Sequence, residues 1–237
     1  MPLDSIKNLF FFNSSRVRLE KENADFAALV PAGALVLDAG AGMSPYRYMF
    51  QHAQYESADF EKVDKKYEPS TYVCDLKDIP VEDNRFDFVI FNQVMEHLPE
   101  PKLVLRELSR VLKPGGKMIY TGPLFYEEHE IPYDYYRYTQ FGLKHLFAET
   151  GFAIERLDWM EGYFGAAAYQ LNCMARYIPF LPKHLGGGLL SYGLAPVMLL
   201  LKGVFALSSL LFHRLEVKAK YTGKGYPKNY IAIVCSQ

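Results

Sequence analysis

The run Leu35-Val36-Leu37-Asp38-Ala39-Gly40-Ala41-Gly42 decides the reading of the fold. A short apolar segment ends in an acid, and two glycines follow one residue apart. The pattern predicts a buried strand that breaks into a tight turn, where backbone without a Cβ can approach a ligand closely. Roughly 20 residues further on, the next strand-like run closes on a second acid, Asp59.

Working outward, strand patterns fall at Leu35–Leu37, Tyr55–Asp59, Tyr72–Cys74, Phe86–Phe91, Lys117–Thr121, Phe152–Met160 and Asn229–Cys235. Helical patterns lie between several of them. Arg18–Val30 is amphipathic and is stopped by Pro31 and Gly33. Leu103–Leu112 can line one face with Leu103, Leu108, Val111 and Leu112, and ends at the turn Lys113-Pro114-Gly115-Gly116. Gly142–Thr150 is a further helix, closed by Gly151. This alternation predicts an α/β fold: a Rossmann-like, mostly parallel seven-stranded sheet with helices on both faces. About 70 residues separate the last two strands, far more than an ordinary connection. Three parts follow: a core with an N-terminal helical region (1–161), an apolar and basic helical insertion (162–228) and a final strand returning to the sheet (229–237).

Half of the 237 residues are hydrophobic and 15% are aromatic, which allows a sizeable core and argues against general disorder. Cys74, Cys173 and Cys235 are odd in number and far apart, so neither a disulfide framework nor a zinc site is expected, and a reducing compartment fits. The apolar patch Leu9–Phe12 near the start lacks the basic leader and cleavage site of a signal peptide.

The net charge of −1 hides an asymmetry. Eight Lys and Arg follow Glu161 against one acid, Glu216, so this part carries +7 and the rest −8. The basic part also holds the most apolar segment, Leu189–Phe212, preceded by the hinge-like Gly186-Gly187-Gly188, and Tyr163–Ile178 is its candidate partner helix. Basic charge flanking an apolar run suits an anionic membrane surface. A single span is disfavoured, because Asn229–Cys235 must return to the sheet and Pro196 and Lys202 interrupt the run. A re-entrant hairpin or interfacial helices are expected instead, the alternative being packing on the domain or a homodimer interface. The acidic core disfavours nucleic acid as a partner.

The motifs in order resemble a class I S-adenosylmethionine-dependent methyltransferase of the type 11 group. They are Leu37-Asp38-Ala39-Gly40-Ala41-Gly42, Ala58-Asp59-Phe60, Cys74-Asp75-Leu76, the stretch from Phe86-Asp87-Phe88 to Met95-Glu96-His97, and Leu108-Ser109-Arg110-Val111-Leu112-Lys113-Pro114-Gly115-Gly116. A dinucleotide fingerprint would need a third glycine where Pro45 follows Gly42-Met43-Ser44, which argues against NAD. The resemblance implies S-adenosylmethionine as cofactor. It sets Asp38 near the aminoacyl part and gives Gly40 and Gly42 backbone contact. It sets Asp59 on the ribose hydroxyls, Phe60 over the adenine, Asp75 and Leu76 at the adenine amino edge, and Asn92 and Gln93 beside the methionine portion.

Methyl transfer to a hydroxyl needs alignment and a base. Two regions could supply one. In Glu96-His97, histidine has a suitable pKa. Some family members bind a divalent metal through Glu-x-x-Glu-His here, but Gln93 replaces the first carboxylate, and no metal is expected. The second region is His129-Glu130-Ile131-Pro132-Tyr133-Asp134-Tyr135-Tyr136-Arg137-Tyr138-Thr139. It follows the fifth strand and is dense in titratable and aromatic groups. His129 is the preferred base, with His97, Asp134, Tyr136 and Arg137 as further catalytic candidates; Arg137 suits an anionic group, and a lid braced by Asp134 and Arg137 is the structural alternative. A similar His-Glu-x-Pro-x-Asp-x-x-Arg-x-Thr run occurs in bacterial methyltransferases associated with cell-surface saccharides. The expected activity is therefore O-methylation of a saccharide or lipid-linked envelope precursor, at the cytoplasmic face of the membrane. The alternatives are a soluble small-molecule methyltransferase, whose insertion is a dimer interface or substrate cover, and a non-catalytic membrane adaptor.

Overall fold

The computed structural model describes residues 13–237, and the patch Leu9–Phe12 lies outside them. All seven expected strands form one sheet: β1 (Leu35–Ala39), β2 (Gln54–Asp59), β3 (Tyr72–Val73), β4 (Phe86–Asn92), β5 (Leu112–Pro123), β6 (Phe152–Trp159) and β7 (Asn229–Ser236). Their spatial order is β3-β2-β1-β4-β5-β7-β6. Pairing is parallel from β3 to β5, and β7 runs antiparallel to both β5 and β6.

Burial explains the apolar strand centres. Successive side chains point to opposite faces, so a strand covered on both sides reads as an unbroken hydrophobic run. In β1, β4 and β5, Leu37, Val89, Phe91, Met118 and Tyr120 enter one core. Their neighbours Val36, Ile90 and Ile119 enter the other. The first core is covered by helices α2 (Pro101–Val111) and α3 (Gln140–Ala148), the second by α1 (Ser14–Ala27) through Phe26 and Ala27.

Two local expectations need correction. The buried face of α2 is Val104, Leu105, Leu108 and Val111, while Leu103 is 42% exposed. The helix begins at Pro101, and its 3.6-residue period places Leu103 on the outer side. The turn Lys113–Gly116 does not precede β5 but bulges within it. Phe86 pairs with Leu112, whereas Phe88 pairs with Lys117. Gly115 supplies a φ of +76°, and a Cβ on Gly116 would stand 2.9 Å from the Asp87 carbonyl.

Two compact units divide the chain. The sheet unit comprises Arg18–Met160 and Asn229–Gln237; the other comprises residues 13–17 and Glu161–Lys228. The second unit is inserted in the β6–β7 connection, whose ends are neighbours: Trp159 pairs with Tyr230, and the Met160 amide donates to Asn229 O at 2.9 Å. Inside this unit, α4 (Tyr163–Tyr177) and α5 (Leu189–Lys218) run antiparallel. The Glu216 carboxylate accepts from the amides of Gly162 and Gly165 (2.7 and 3.1 Å) at the start of α4. Ser209 Oγ donates to Ala168 O at 2.8 Å. Lys202 Nζ donates to Arg176 O and Ile178 O (3.0 and 3.3 Å), closing the far end of α4. The remaining surface of α5 is bare: Leu190 is 77%, Leu200 69% and Leu207 67% exposed.

Candidate functional site

The site grows from the β1 turn. Gly40 has a φ of +75°, and its amide donates to Ala58 O at 2.8 Å. A Cβ at this position would meet Val94 Cγ2 at 2.4 Å, so neither the backbone conformation nor the space admits a side chain. At the end of β2, the nearly buried Asp59 accepts from the Gly42 amide (2.9 Å) and the Glu61 amide (3.0 Å), one on each carboxylate oxygen. Two backbone donors thus fix the carboxylate and leave further lone pairs for a ligand.

A cleft opens beside this turn. Six of the nine residues expected to meet the cofactor line it: Gly40, Asp59, Phe60, Asp75, Leu76 and Gln93. Gln93 and Glu61 hold positive φ values (56° and 52°), strained backbone of the kind that clusters at ligand sites. The other three do not line it. Asp38 accepts a hydrogen bond from the Tyr55 hydroxyl, and burial pushes its carboxyl up to about 7. Gly42 spends its amide on Asp59. Asn92 donates to Asn23 Oδ1 (2.7 Å) and accepts from Thr121 Oγ1 (2.8 Å).

Of the catalytic candidates, His97 alone lines the cleft. It follows the buried Glu96 in the 3₁₀ turn Met95–His97, and Tyr133 O accepts from its Nδ1. The β5–α3 loop is tied to this turn, because the Tyr135 and Tyr136 amides donate to Glu96 O at 2.8 and 3.2 Å. The loop brings His129 against His97, with ring centroids 4.6 Å apart, edge to face. His129 Nδ1 lies 3.2 Å from Glu127 O and 3.4 Å from Asp134 Oδ2. Burial pushes the Glu96 carboxyl up to about 8 and holds His97 below the usual imidazole range.

Asp134 and Arg137 form a brace. The guanidinium donates to both Asp134 oxygens (2.6 and 2.8 Å) and to the carbonyls of Tyr126, Glu127 and Tyr136. These hydrogen bonds hold the Asp134 carboxyl down to about 2 and commit Arg137 to the loop. The Tyr136 hydroxyl donates to Pro99 O.

The cleft also takes in Tyr133 and Tyr135, whose loop the sequence reading assigns to the acceptor, and Val94 and Lys62, to which it gives no role. The first two lie inside the loop motif, but which ring faces inward depends on the loop path. Val94 and Lys62 carry no sequence signal. Two ion pairs, Lys65–Glu130 (2.8 Å) and Lys77–Glu100 (2.7 Å), link residues of its lining.

Residues 37–120 match a family model described as a methyltransferase domain, of the type 11 group. An uncharacterised Methanocaldococcus jannaschii protein is 27% identical over 110 residues, 46% of this chain and 54% of its own length. A demethylmenaquinone methyltransferase of Renibacterium salmoninarum is 36% identical over 103 residues, covering 40% of this chain and 43% of that protein. The chain thus spans about half of these relatives. A Haemonchus contortus phosphoethanolamine N-methyltransferase, solved with phosphomonomethylethanolamine and S-adenosylhomocysteine, shares the fold at a TM-score of 0.53 and 17% identity, over 92% of this chain and 52% of that one.

Proposed function

We propose that this chain is an S-adenosylmethionine-dependent methyltransferase. The observation that carries the reading is the Gly40–Asp59 corner: a side-chain-free turn beside a carboxylate fixed by two amides, both opening on one cleft. The lining fits the cofactor. Asp59 would take the ribose hydroxyls, Phe60, Asp75 and Leu76 the adenine, and the Gly40 and Gln93 region the methionine end. When bound, the cofactor supplies a methyl group activated by a positively charged sulfur.

The chain's own residues then have two tasks. Tyr133 and Tyr135 hold the acceptor against aromatic faces. His129 receives the acceptor's proton: the Glu127 carbonyl and Asp134 hold its Nδ1–H, which leaves Nε2 as the basic nitrogen. His97, which lines the cleft and stands edge to face against His129, orients the acceptor.

The acceptor in this reading is a hydroxyl on a saccharide or lipid-linked precursor of the cell envelope, met at the cytoplasmic face of the membrane. Helix α5 supports a membrane partner: its mean hydropathy reaches 2.0, and only 6% of that stretch is buried. The inserted unit has two acids among its described residues, Glu161 and Glu216, and both are fully buried, so its exposed charge is basic. The closure of the hairpin by Glu216 and the return of the chain into β7 favour a re-entrant or interfacial mode over a single span. A second reading, a soluble small-molecule acceptor, is supported by the demethylmenaquinone methyltransferase relative.

Radiolabelled S-adenosylmethionine, purified protein and a total membrane extract, followed by phase partition, test the proposal. Label in the lipid or lipid-linked glycan phase supports the membrane acceptor, and label confined to the aqueous phase supports the second reading. Failure of the protein to bind S-adenosylhomocysteine would overturn both.

A further inference from the structure

We propose that Glu96, His97 and His129 form a binding site for a divalent transition-metal cation. One ligand atom from each residue lies within 4.8 Å of the others. His97 and Glu96 come from the 3₁₀ turn after β4, and His129 from the loop after β5, so the group exists only through the tertiary fold.

Three features point to a cation rather than to chance proximity. First, Glu96 is completely buried, and neither carboxylate oxygen has a hydrogen-bond partner among the described residues. A buried carboxylate without a partner is costly, and a cation removes that cost. Arg137, the nearby guanidinium, is already bound to both oxygens of Asp134.

Second, both imidazoles are held in the tautomer a metal needs. A backbone carbonyl can only accept, so Tyr133 O takes the Nδ1 proton of His97, and Glu127 O takes that of His129. Each ring keeps its lone pair on Nε2, and His97 Nε2 stands 3.9 Å from Glu96 Oε1. Metal-ligating histidines are held in this way through the other ring nitrogen. Asp134 Oδ2, 3.4 Å from His129 Nδ1, adds a carboxylate to that outer support.

Third, His97 also lines the cleft, so positions left open by three protein ligands are available to a molecule bound there. Two imidazoles and one carboxylate select manganese, iron, cobalt or zinc over calcium and magnesium, which take oxygen ligands. One consequence rests on the methyltransferase reading: a hydroxyl bound to the cation would lose its proton to solvent more readily, with His129 Nε2 then a ligand and not the base.

The test needs neither cofactor nor acceptor, so its failure is separate from a failure of the methyltransferase reading. The full chain is stripped with chelator and titrated with Co²⁺, read by its visible absorption bands, and with Mn²⁺, read by electron paramagnetic resonance. One ion per chain is expected, with nitrogen-ligand signatures. His129→Gln and the near-isosteric Glu96→Gln should each weaken binding by about 10-fold or more, while His184→Gln, outside the cluster, should bind as wild type does. Far-UV circular dichroism confirms that each variant is folded. No binding at millimolar ion, or wild-type affinity in folded His129→Gln and Glu96→Gln, would overturn the site.

Discussion

The side chain of Val94 fills the space that a Cβ on Gly40 would need, with Cγ2 2.4 Å from the position that atom would take. The β1 turn and the segment after β4 are therefore locked together at the edge of the cleft. Gly40→Ala adds a left-handed-region penalty to this overlap, and should cost about 2–4 kcal/mol of stability in urea unfolding. Affinity for S-adenosylhomocysteine should fall by about 10-fold or more. Adding Val94→Ala should return part of the stability, because it relieves the overlap but not the φ strain. Equal stability of the single and double variants would count against this geometry.

Asp38 gives a pH dependence of defined sign. Its carboxyl is raised by burial to about 7, so the folded chain holds a proton that the unfolded chain has already lost above its ordinary value of 3.8. This stabilisation is complete below about pH 4 and is lost as pH rises through about 7. Asp38→Asn retains an acceptor for the Tyr55 hydroxyl and cannot ionise. It should flatten the stability profile between those limits and exceed wild type at pH 8 by a few kcal/mol at most. Thermal unfolding across pH 4–8 checks this, and an unchanged profile would show that Asp38 ionises freely.

Asp134 carries the opposite sign. Its carboxyl is held down to about 2, chiefly by the hydrogen bonds from Arg137, so the brace is fully present above the ordinary carboxylate value and disappears as pH falls through about 2. Asp134→Asn should lose about 1 kcal/mol at pH 7. It should also speed amide exchange at His129, whose N–H donates to Asp134 Oδ2 at 2.9 Å. Exchange in the variant at the wild-type rate would remove the brace as the device that orders this loop.

The bare face of α5 gives a partitioning prediction. The wild-type chain should sediment with vesicles rich in anionic lipid and much less with neutral ones. Leu200→Asp with Leu207→Asp, both at exposed positions, should abolish sedimentation without changing cofactor affinity. Undiminished sedimentation of this variant would move the membrane contact away from α5.

Much of the fold was legible because it depends on local pattern. The apolar runs of β1, β4 and β5 announce strands buried on both faces, and Gly40 and Asp59 mark where β1 and β2 end. The boundaries near Leu103 and Lys113 were not legible. Helix phase there is set by the first turn at Pro101, and the bulge by how β5 must pair with β4.

For the site, the sequence by itself determined which chemistry is present: an acid at the end of each of the first two strands, a histidine after the fourth and a polar aromatic loop after the fifth. Residue type and spacing along one strand end fix this much, since strand ends in a parallel sheet converge on one edge. Only the tertiary structure decided which side chains meet. It turned Asp38 toward Tyr55 and spent Arg137 on Asp134. It set His129 on His97 across 32 residues of chain, next to a Glu96 carboxylate with no hydrogen-bond partner among the described residues. Those outcomes follow from loop path and burial, which are sums of many long-range contacts and leave no periodic mark in the sequence.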